Sequence, residues 1–283
     1  MIDGTEDASA IAKAVQDRKT SAVDVIKNCL QRIATYDPKV NAFTKVHTER
    51  AILQAQKVDE RLEKGQVLPL SGAPFAVKNL FDIADNITLA GSKINHARSK
   101  ANQDSLMIQR LEQAGAVLVG SLNMGEYAYD FTGENAHFGA CLNPWDENRM
   151  AGGSSSGSGA ALAAGCVSIT LGTDTNGSIR VPSSFCGVWG LKPTYGRLPR
   201  TGTFPFCHSL DHVGIMSRCV KDLSIAYRQL EGYDDSDPVC MPSPPSPSTP
   251  DRPLRVGLVG GYFADGSFPT AEAAARYCAE ALA

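Results

Sequence analysis

What the chain lacks narrows the field first. Its eight cysteines (Cys29, Cys141, Cys166, Cys186, Cys207, Cys219, Cys240 and Cys278) are widely scattered, and no two form a C-x-x-C pair. That excludes a zinc ribbon and argues against a disulfide framework, leaving reduced thiols that mostly pack as small core residues. No run is long and apolar enough to span a bilayer; the longest weakly apolar stretch, Ala160 to Leu171, is short and broken by glycine and serine. The first residues, "MIDGTEDASA", are acidic and without the apolar centre a secretory signal requires. No basic face announces nucleic acid or an anionic membrane, since the net charge is −3 and both signs are interleaved throughout. A cytoplasmic setting is the expectation.

What is present describes an ordinary globular chain. With 283 residues, 43% apolar and 20% charged, it can bury a sizeable core and does not have the composition of disorder. Ser21 opens a helix with the stripe Val23, Ile26, Leu30 and Ile33, closing at Asp37-Pro38. A second helix shows Ala51, Ala55, Val58 and Leu62 on one face and stops at Lys64-Gly65. "APFAVKNLFD" reads as a short buried strand ending near Lys78; Asp104 is expected to cap a helix over residues 106–114, and "AVLVGSLN" follows as a strand. "SGAALAAGC", "SITLGTD", "VKDLSIAYRQLEG" and "LRVGLVGG" continue the alternation of helix and strand. Alternation of this kind predicts an α/β fold with a sheet covered on both faces. Residues 234–253 read as a Pro/Ser-rich loop within one domain, and no internal repeat is visible. "PTAEAAARYCAEALA" starts as an amphipathic helix and stops at Ala283 with no C-capping signal, so the chain is expected to be cut short.

One stretch looks like a site: "MAGGSSSGSGAALAAGCVSITLGTDTNGSIRVP", residues 150–182, with six serines and no histidine. A P-loop needs a lysine after its glycines, and none follows. A dinucleotide fingerprint needs a third glycine where Leu162 stands and a strand where "NPWDENRMAG" reads as a polar loop. A nucleophile elbow matches literally at residues 153–157, with Ser155 as nucleophile and Asp211 and His212 downstream, but again without a strand leading into it. A plain Ser/Gly loop accounts for "GGSSSGSG" and not for the second cluster, "GTDTNGSIRVP". That second cluster reads as a turn of successive backbone N–H groups, such as an oxyanion requires, with Ser178 at its end.

These residues resemble the amidase signature family. "GGSSSGSGAALAAG" and "LGTDTNGSIRVPSSFCGVWGLKPTYGR" follow its signature almost position by position, and "PFAVKNLFD", "AGAVLVGSLNMGEYAYDFTGEN" and "SLDHVG" extend the likeness along the chain. The resemblance implies a mixed central sheet flanked by helices on both faces, with a C-terminal part of the family domain absent here. It implies a serine–cis-serine–lysine triad at Ser178, Ser154 and Lys78, and an oxyanion hole from the amides of Thr175, Asn176, Gly177 and Ser178. No metal and no organic cofactor are implied. The chemistry is consistent: a serine hydroxyl needs a base, and a lysine at the end of a buried strand loses its proton near neutral pH by desolvation. Asp174 and Arg180 are expected to pair and brace the turn. Tyr129 falls where the family lines its acyl pocket, and His208 and His212 are expected to be structural.

Two branches of the family look similar: the A subunits of glutamyl-tRNA amidotransferases, which release ammonia from glutamine, and hydrolases of 1-carboxybiuret in cyanuric acid degradation. "KNLFDI", "LAGSKIN" and "FCHSLDHVG" lean to the second. The substrate implied is a small amide or ureide. The partner implied is a small helical protein similar to the C subunit of the amidotransferase, with a homodimer left open and neither membrane nor nucleic acid bound. Three positions depart from the family pattern. Ser156 stands where glycine is usual and is unfavourable if φ is positive there. Gly125 replaces an acidic residue, and Asp130 replaces a glycine, placing a carboxylate that would repel an anionic substrate.

Overall fold

The computed structural model describes residues 5–242 and 255–282. The first segment belongs to one compact unit, Met1–Ser243, and the second to another, Pro244–Ala283. In the first unit, helices α1 (Ala8–Gln16) and α2 (Ala22–Val40) precede strand β1 (Phe43–Val46). Helix α3 (Thr48–Glu63), strand β2 (Pro74–Lys78), helix α4 (Leu106–Gln113) and strand β3 (Val117–Leu122) follow. A hairpin, β4 (Leu142–Asn143) with β5 (Asp146–Met150), leads to helix α5 (Ser156–Ala163) and strand β6 (Ile169–Asp174). The unit closes with α6 (Arg180–Cys186), β7 (Trp189–Leu191), β8 (His212–Ser217) and α7 (Val220–Leu230).

Six strands form one mixed sheet in the order β1-β3-β2-β6-β8-β7. β2 is parallel to both β3 and β6, and the outer pairings are antiparallel. β2 lies inside the sheet and is buried along its whole length, so its run of apolar residues serves two faces. Side chains alternate across a strand. Phe75 and Val77 of β2 therefore join Met107, Ile108 and Leu111 of α4 in one core, while Ala76 joins Ile26 and Cys29 of α2 in the other. Five of the eight cysteines are buried, as small core residues should be.

Local signals explain most boundaries. Ser21 caps α2 by accepting the N–H of Asp24 at 3.0 Å. The helix continues through Pro38, past the expected close, and ends at Asn41, whose backbone is left-handed. Ser105 holds the N-cap position of α4 in place of the expected Asp104, because Arg50 and the N–H of Ala84 take the Asp104 carboxylate. α5 is made of small residues because it runs against other backbone. A Cβ on Gly157 would lie 2.3 Å from the carbonyl oxygen of Ala42 and 2.6 Å from the Asn123 nitrogen.

Two expectations are corrected. "NPWDENRMAG" is not a plain loop, since Asp146–Met150 is a strand of the two-stranded hairpin. In the second unit residues 255–260 of "LRVGLVGG" form no strand, although helix α8 (Pro269–Ala281) forms with Pro269 in its first turn. Within the Pro/Ser-rich loop, residues 243–253 lie outside the described residues. Among the described residues no helix is long and apolar enough to cross a membrane.

Candidate active site

β2 delivers Lys78 to the centre of the first unit. The side chain is fully buried, and its amine has hydroxyl neighbours: Nζ lies 2.7 Å from Oγ of Ser154 and 2.9 Å from Oγ1 of Thr173. Burial pulls the amine down to about 7, against the opposing pull of the carboxylates of Asp174, Asp211 and Asp130. Near neutral pH a substantial share of this lysine is therefore an unprotonated base.

Ser154 follows a cis peptide bond from Gly153. The Gly153 N–H donates to the carbonyl of Phe131 at 2.9 Å, and the Ser154 carbonyl accepts the Gly125 N–H at 3.2 Å. Its neighbours in the tract are buried too, with a different occupation. The hydroxyls of Ser155, Ser156 and Ser158 donate to the backbone carbonyls of Thr173, Asn123 and Leu171. Ser156 is the first residue of α5 and does not have positive φ, so the expected backbone conflict at this position is absent.

Ser178 sits in the turn between β6 and α6, and its carbonyl accepts the N–H of Ser155 at 3.2 Å, joining the two serine-bearing segments. Asp174 organises the turn. It is fully buried, makes a two-point ion pair with Arg180 at 2.9 and 3.0 Å, and accepts the N–H groups of Gly177 and Ile179. Burial pushes this carboxyl up, and the hydrogen bonds from Arg180, Ile179 and Gly177 more than reverse that, holding it at about 2. Gly177, with φ of 129°, makes the turn. Its N–H, expected among the oxyanion donors, donates to the Asp174 carboxylate at 2.7 Å. In front of Ser178 lies a cavity of about 660 Å³, lined by Asp130, Phe131, Thr175, Asn176, Phe206 and Leu210 among others. Tyr129 lies on its rim, largely exposed, with its ring 5.7 Å from that of Phe206.

The histidine-based alternative does not assemble. Nδ1 of His212 bonds to the carbonyls of Leu210 and Asp174 at 2.7 and 3.2 Å. Asp211 points instead at Thr175 Oγ1 and the N–H groups of Phe206 and Cys207. Ser155, the elbow's nucleophile, is occupied by Thr173. His208 contributes its carbonyl, which accepts from Tyr195 and Arg200. Among the described residues one grouping of metal-type ligands exists: Asp7, Cys219 and Asp222. Asp222 already accepts the N–H groups of Ala8 and Ser9, a capping role at the start of α1.

Sequence reasoning missed Thr173, Phe206 and Leu210. Alternation from Leu171, the partner of Val77, would set Thr173 on the face opposite Lys78, so no sequence signal pointed to their contact.

The Amidase family matches residues 24–283. The chain is 51% identical to AtzE, a component of the 1-carboxybiuret hydrolase of Pseudomonas sp. (strain ADP), over 96% of its own length and 61% of that protein's. It is 41% identical to the A subunit of the glutamyl-tRNA(Gln) amidotransferase of Chloroflexus aggregans, over 97% of its length and 57% of the relative's. It thus spans about three fifths of the curated relatives it matches. Among solved structures it overlays with a TM-score of 0.94 and 50% identity on a vestigial protein complex bearing on the origins of an s-triazine catabolic enzyme, covering 98% of this chain and 62% of that one. The 6-aminohexanoate cyclic dimer hydrolase complexed with substrate overlays at 0.87 with 31% identity, over 99% and 59%. By sequence and by fold alike, the chain belongs to the amidase signature family.

Proposed function

We propose that this chain carries the hydrolytic centre of an amidase that cleaves the C–N bond of a small amide or ureide. Ser178 Oγ attacks the carbonyl carbon while its proton passes to Ser154, whose own proton passes to Lys78. The N–H groups of Thr175, Asn176 and Ser178 stabilise the oxyanion. The C–N bond then breaks, the leaving nitrogen takes the proton back from Lys78 through Ser154, and water releases the acid from the acyl-enzyme. The observation that supports this most is the buried Lys78 amine, 2.7 Å from the Ser154 hydroxyl, with burial drawing it down to about 7.

The likeness to AtzE favours a 1-carboxybiuret-type ureide. Asp130 qualifies this, because it places a carboxylate on the cavity and no cationic side chain is among the described lining residues. The second reading, a glutamine-hydrolysing amidotransferase component, rests on the 41% identity to the amidotransferase. Both readings include a small helical partner similar to the amidotransferase C subunit, in a cytoplasmic setting.

The test is ammonia release from biuret, 1-carboxybiuret, glutamine and simple primary amides, with and without such a partner, alongside active-site labelling by a fluorophosphonate. We expect the label on Ser178, lost in Ser178→Ala and in Lys78→Ala, and the best substrate then chooses the branch. A folded protein that neither labels nor turns over any of these would sink the proposal in favour of a non-catalytic chain.

A further inference from the structure

One carboxylate in the site is used by neither the proton path nor the oxyanion turn's own ion pair. Asp211, just before β8, accepts Thr175 Oγ1 at 2.6 Å through Oδ1. Through Oδ2 it accepts the N–H groups of Phe206 and Cys207, both at 2.8 Å. Two structural parts meet on this one side chain. Thr175 begins the turn that ends in Ser178, and Phe206, Cys207 and Leu210 form the facing wall of the cavity. Phe206 in turn holds its ring 5.7 Å from Tyr129 across the rim. Without Asp211 the 206–210 wall would keep fewer ties to the turn, chiefly the His212 contacts to the Leu210 and Asp174 carbonyls.

We propose that Asp211 is a positioning residue for the hydrolytic reaction, clamping the substrate wall at Phe206 and Cys207 onto the oxyanion turn at Thr175. This rests on the amidase reading above. The carboxylate suits the task better than any neutral group, because it accepts three hydrogen bonds at once from two segments and charge-assisted bonds are short and strong. Geometry held this way matters because displacing reacting groups by about 1 Å costs about 100-fold in rate. Asp211 has a second effect that a purely structural tie would lack. It is one of three carboxylates, with Asp174 and Asp130, whose charge favours the protonated form of Lys78.

The experiment compares wild type, Asp211→Asn, Asp211→Ala, Thr175→Val and the double variant Asp211→Ala/Thr175→Val. The readouts are kcat and KM across pH, and hydrogen exchange of the 175–178 and 206–211 amides. Ser178→Ala serves as the control for the amidase reading. We expect Asp211→Ala to lower kcat about 10- to 100-fold, and the double variant to be no worse than the poorer single, because both break one clamp. In Asp211→Asn the acidic limb of kcat/KM should move to lower pH, since removing a negative charge lets Lys78 lose its proton more readily. Both segments should exchange faster together in each variant. Ser178-dependent turnover with unchanged kcat and an unmoved limb in Asp211→Asn and Asp211→Ala would overturn the clamp. If wild type neither turns over substrate nor labels at Ser178, the amidase reading fails by itself, and exchange decides only whether Asp211 ties the two segments: coupled loosening of both upholds the tie, and loosening confined to one overturns it.

Discussion

Two corners of this molecule hold the same inventory of hydroxyl, carboxylate and base, and in only one do base and hydroxyl face each other. In the lysine corner the amine of Lys78 lies within hydrogen-bond distance of Ser154 and Thr173, and Asp174 holds the adjacent turn. In the histidine corner every group is turned to backbone or to a neighbour. His212 bonds to two carbonyls, and Asp211 to Thr175 and two N–H groups. Desolvation separates them further. Lys78 is fully buried and drawn down to about 7, which makes a poor base into a useful one. The lesson is that residue types do not define a nucleophile and its base; the strand that buries one of them does.

The largest expected effect comes from breaking that contrast directly. Lys78→Ala and Ser178→Ala should each lower kcat by about 10⁴-fold or more, since members of a nucleophile–base unit are grossly non-additive and each is needed. His212→Asn keeps a side-chain N–H that can reach a carbonyl, and should stay within about tenfold of wild type, as the loss of one neutral hydrogen bond warrants. If the histidine variant fell as far as the lysine variant, the two corners would have to exchange roles. The pH profile sharpens the point. The proposed reaction would need the neutral amine, so kcat/KM should rise with pH through about 7 and level off above it.

A smaller effect concerns stability, where removing Lys78 acts in the opposite direction. The Lys78 amine is drawn from an ordinary 10.5 down to about 7 in the folded chain. Between those values the unfolded state binds more protons, so the stability of the wild type should increase as pH rises across this window. The burial penalty is therefore greatest below about pH 7. Lys78→Met removes it while filling similar space, and should raise stability at pH 7 by on the order of 5 kcal/mol, at ~1.4 kcal/mol per unit. The gain should shrink towards pH 10. Urea unfolding at pH 6, 8 and 10 checks both parts, and a wild type whose midpoint is flat over that range would contradict them. Lys78 would then be a group the fold holds at no cost.

How far this was legible depends on what each residue's signal was about. Lys78 could be read because it ends an unbroken apolar run, a pattern that a buried strand imposes and a surface loop does not. Asp174 and Arg180 could be paired because a short turn keeps them close whatever else packs around it. The engagement of the Gly177 N–H could not be read, because nothing in "GTDTNGS" says that the Asp174 carboxylate reaches back to it. The cap of α4 was ambiguous for the same kind of reason. Asp104 and Ser105 are both good caps, and the distant Arg50 decides between them. The hairpin strand Asp146–Met150 is polar and mostly exposed, so it carries no alternation to detect. Thr173 was passed over because threonine in a strand is read as a β-former, and its hydroxyl matters only once β2 lies alongside.

The subtlest test lies at the edge of the lysine corner, where two departures from the family pattern turn out to be one. Read along the chain, Gly125 and Asp130 look like separate substitutions. In the fold, a Cβ at position 125 would lie 2.3 Å from that of Asp130, while Oδ2 of Asp130 sits 2.3 Å from where a Cβ on Gly153 would be. Asp130 also accepts the N–H groups of Thr132 and Gly133, which anchors the loop that holds Gly153 ahead of Ser154. A side chain at 125 and the aspartate at 130 therefore compete for one space. Gly125→Ala should destabilise the chain by about 1–3 kcal/mol, the usual range for overpacking. Combined with Asp130→Gly it should add little to what Asp130→Gly costs alone, and that non-additivity is the signature of direct contact. Urea unfolding of the two single variants and the double measures it. Simple addition of the two costs would mean that the loop yields instead of the side chains, and Asp130 would then answer to the substrate cavity rather than to the glycine beside it.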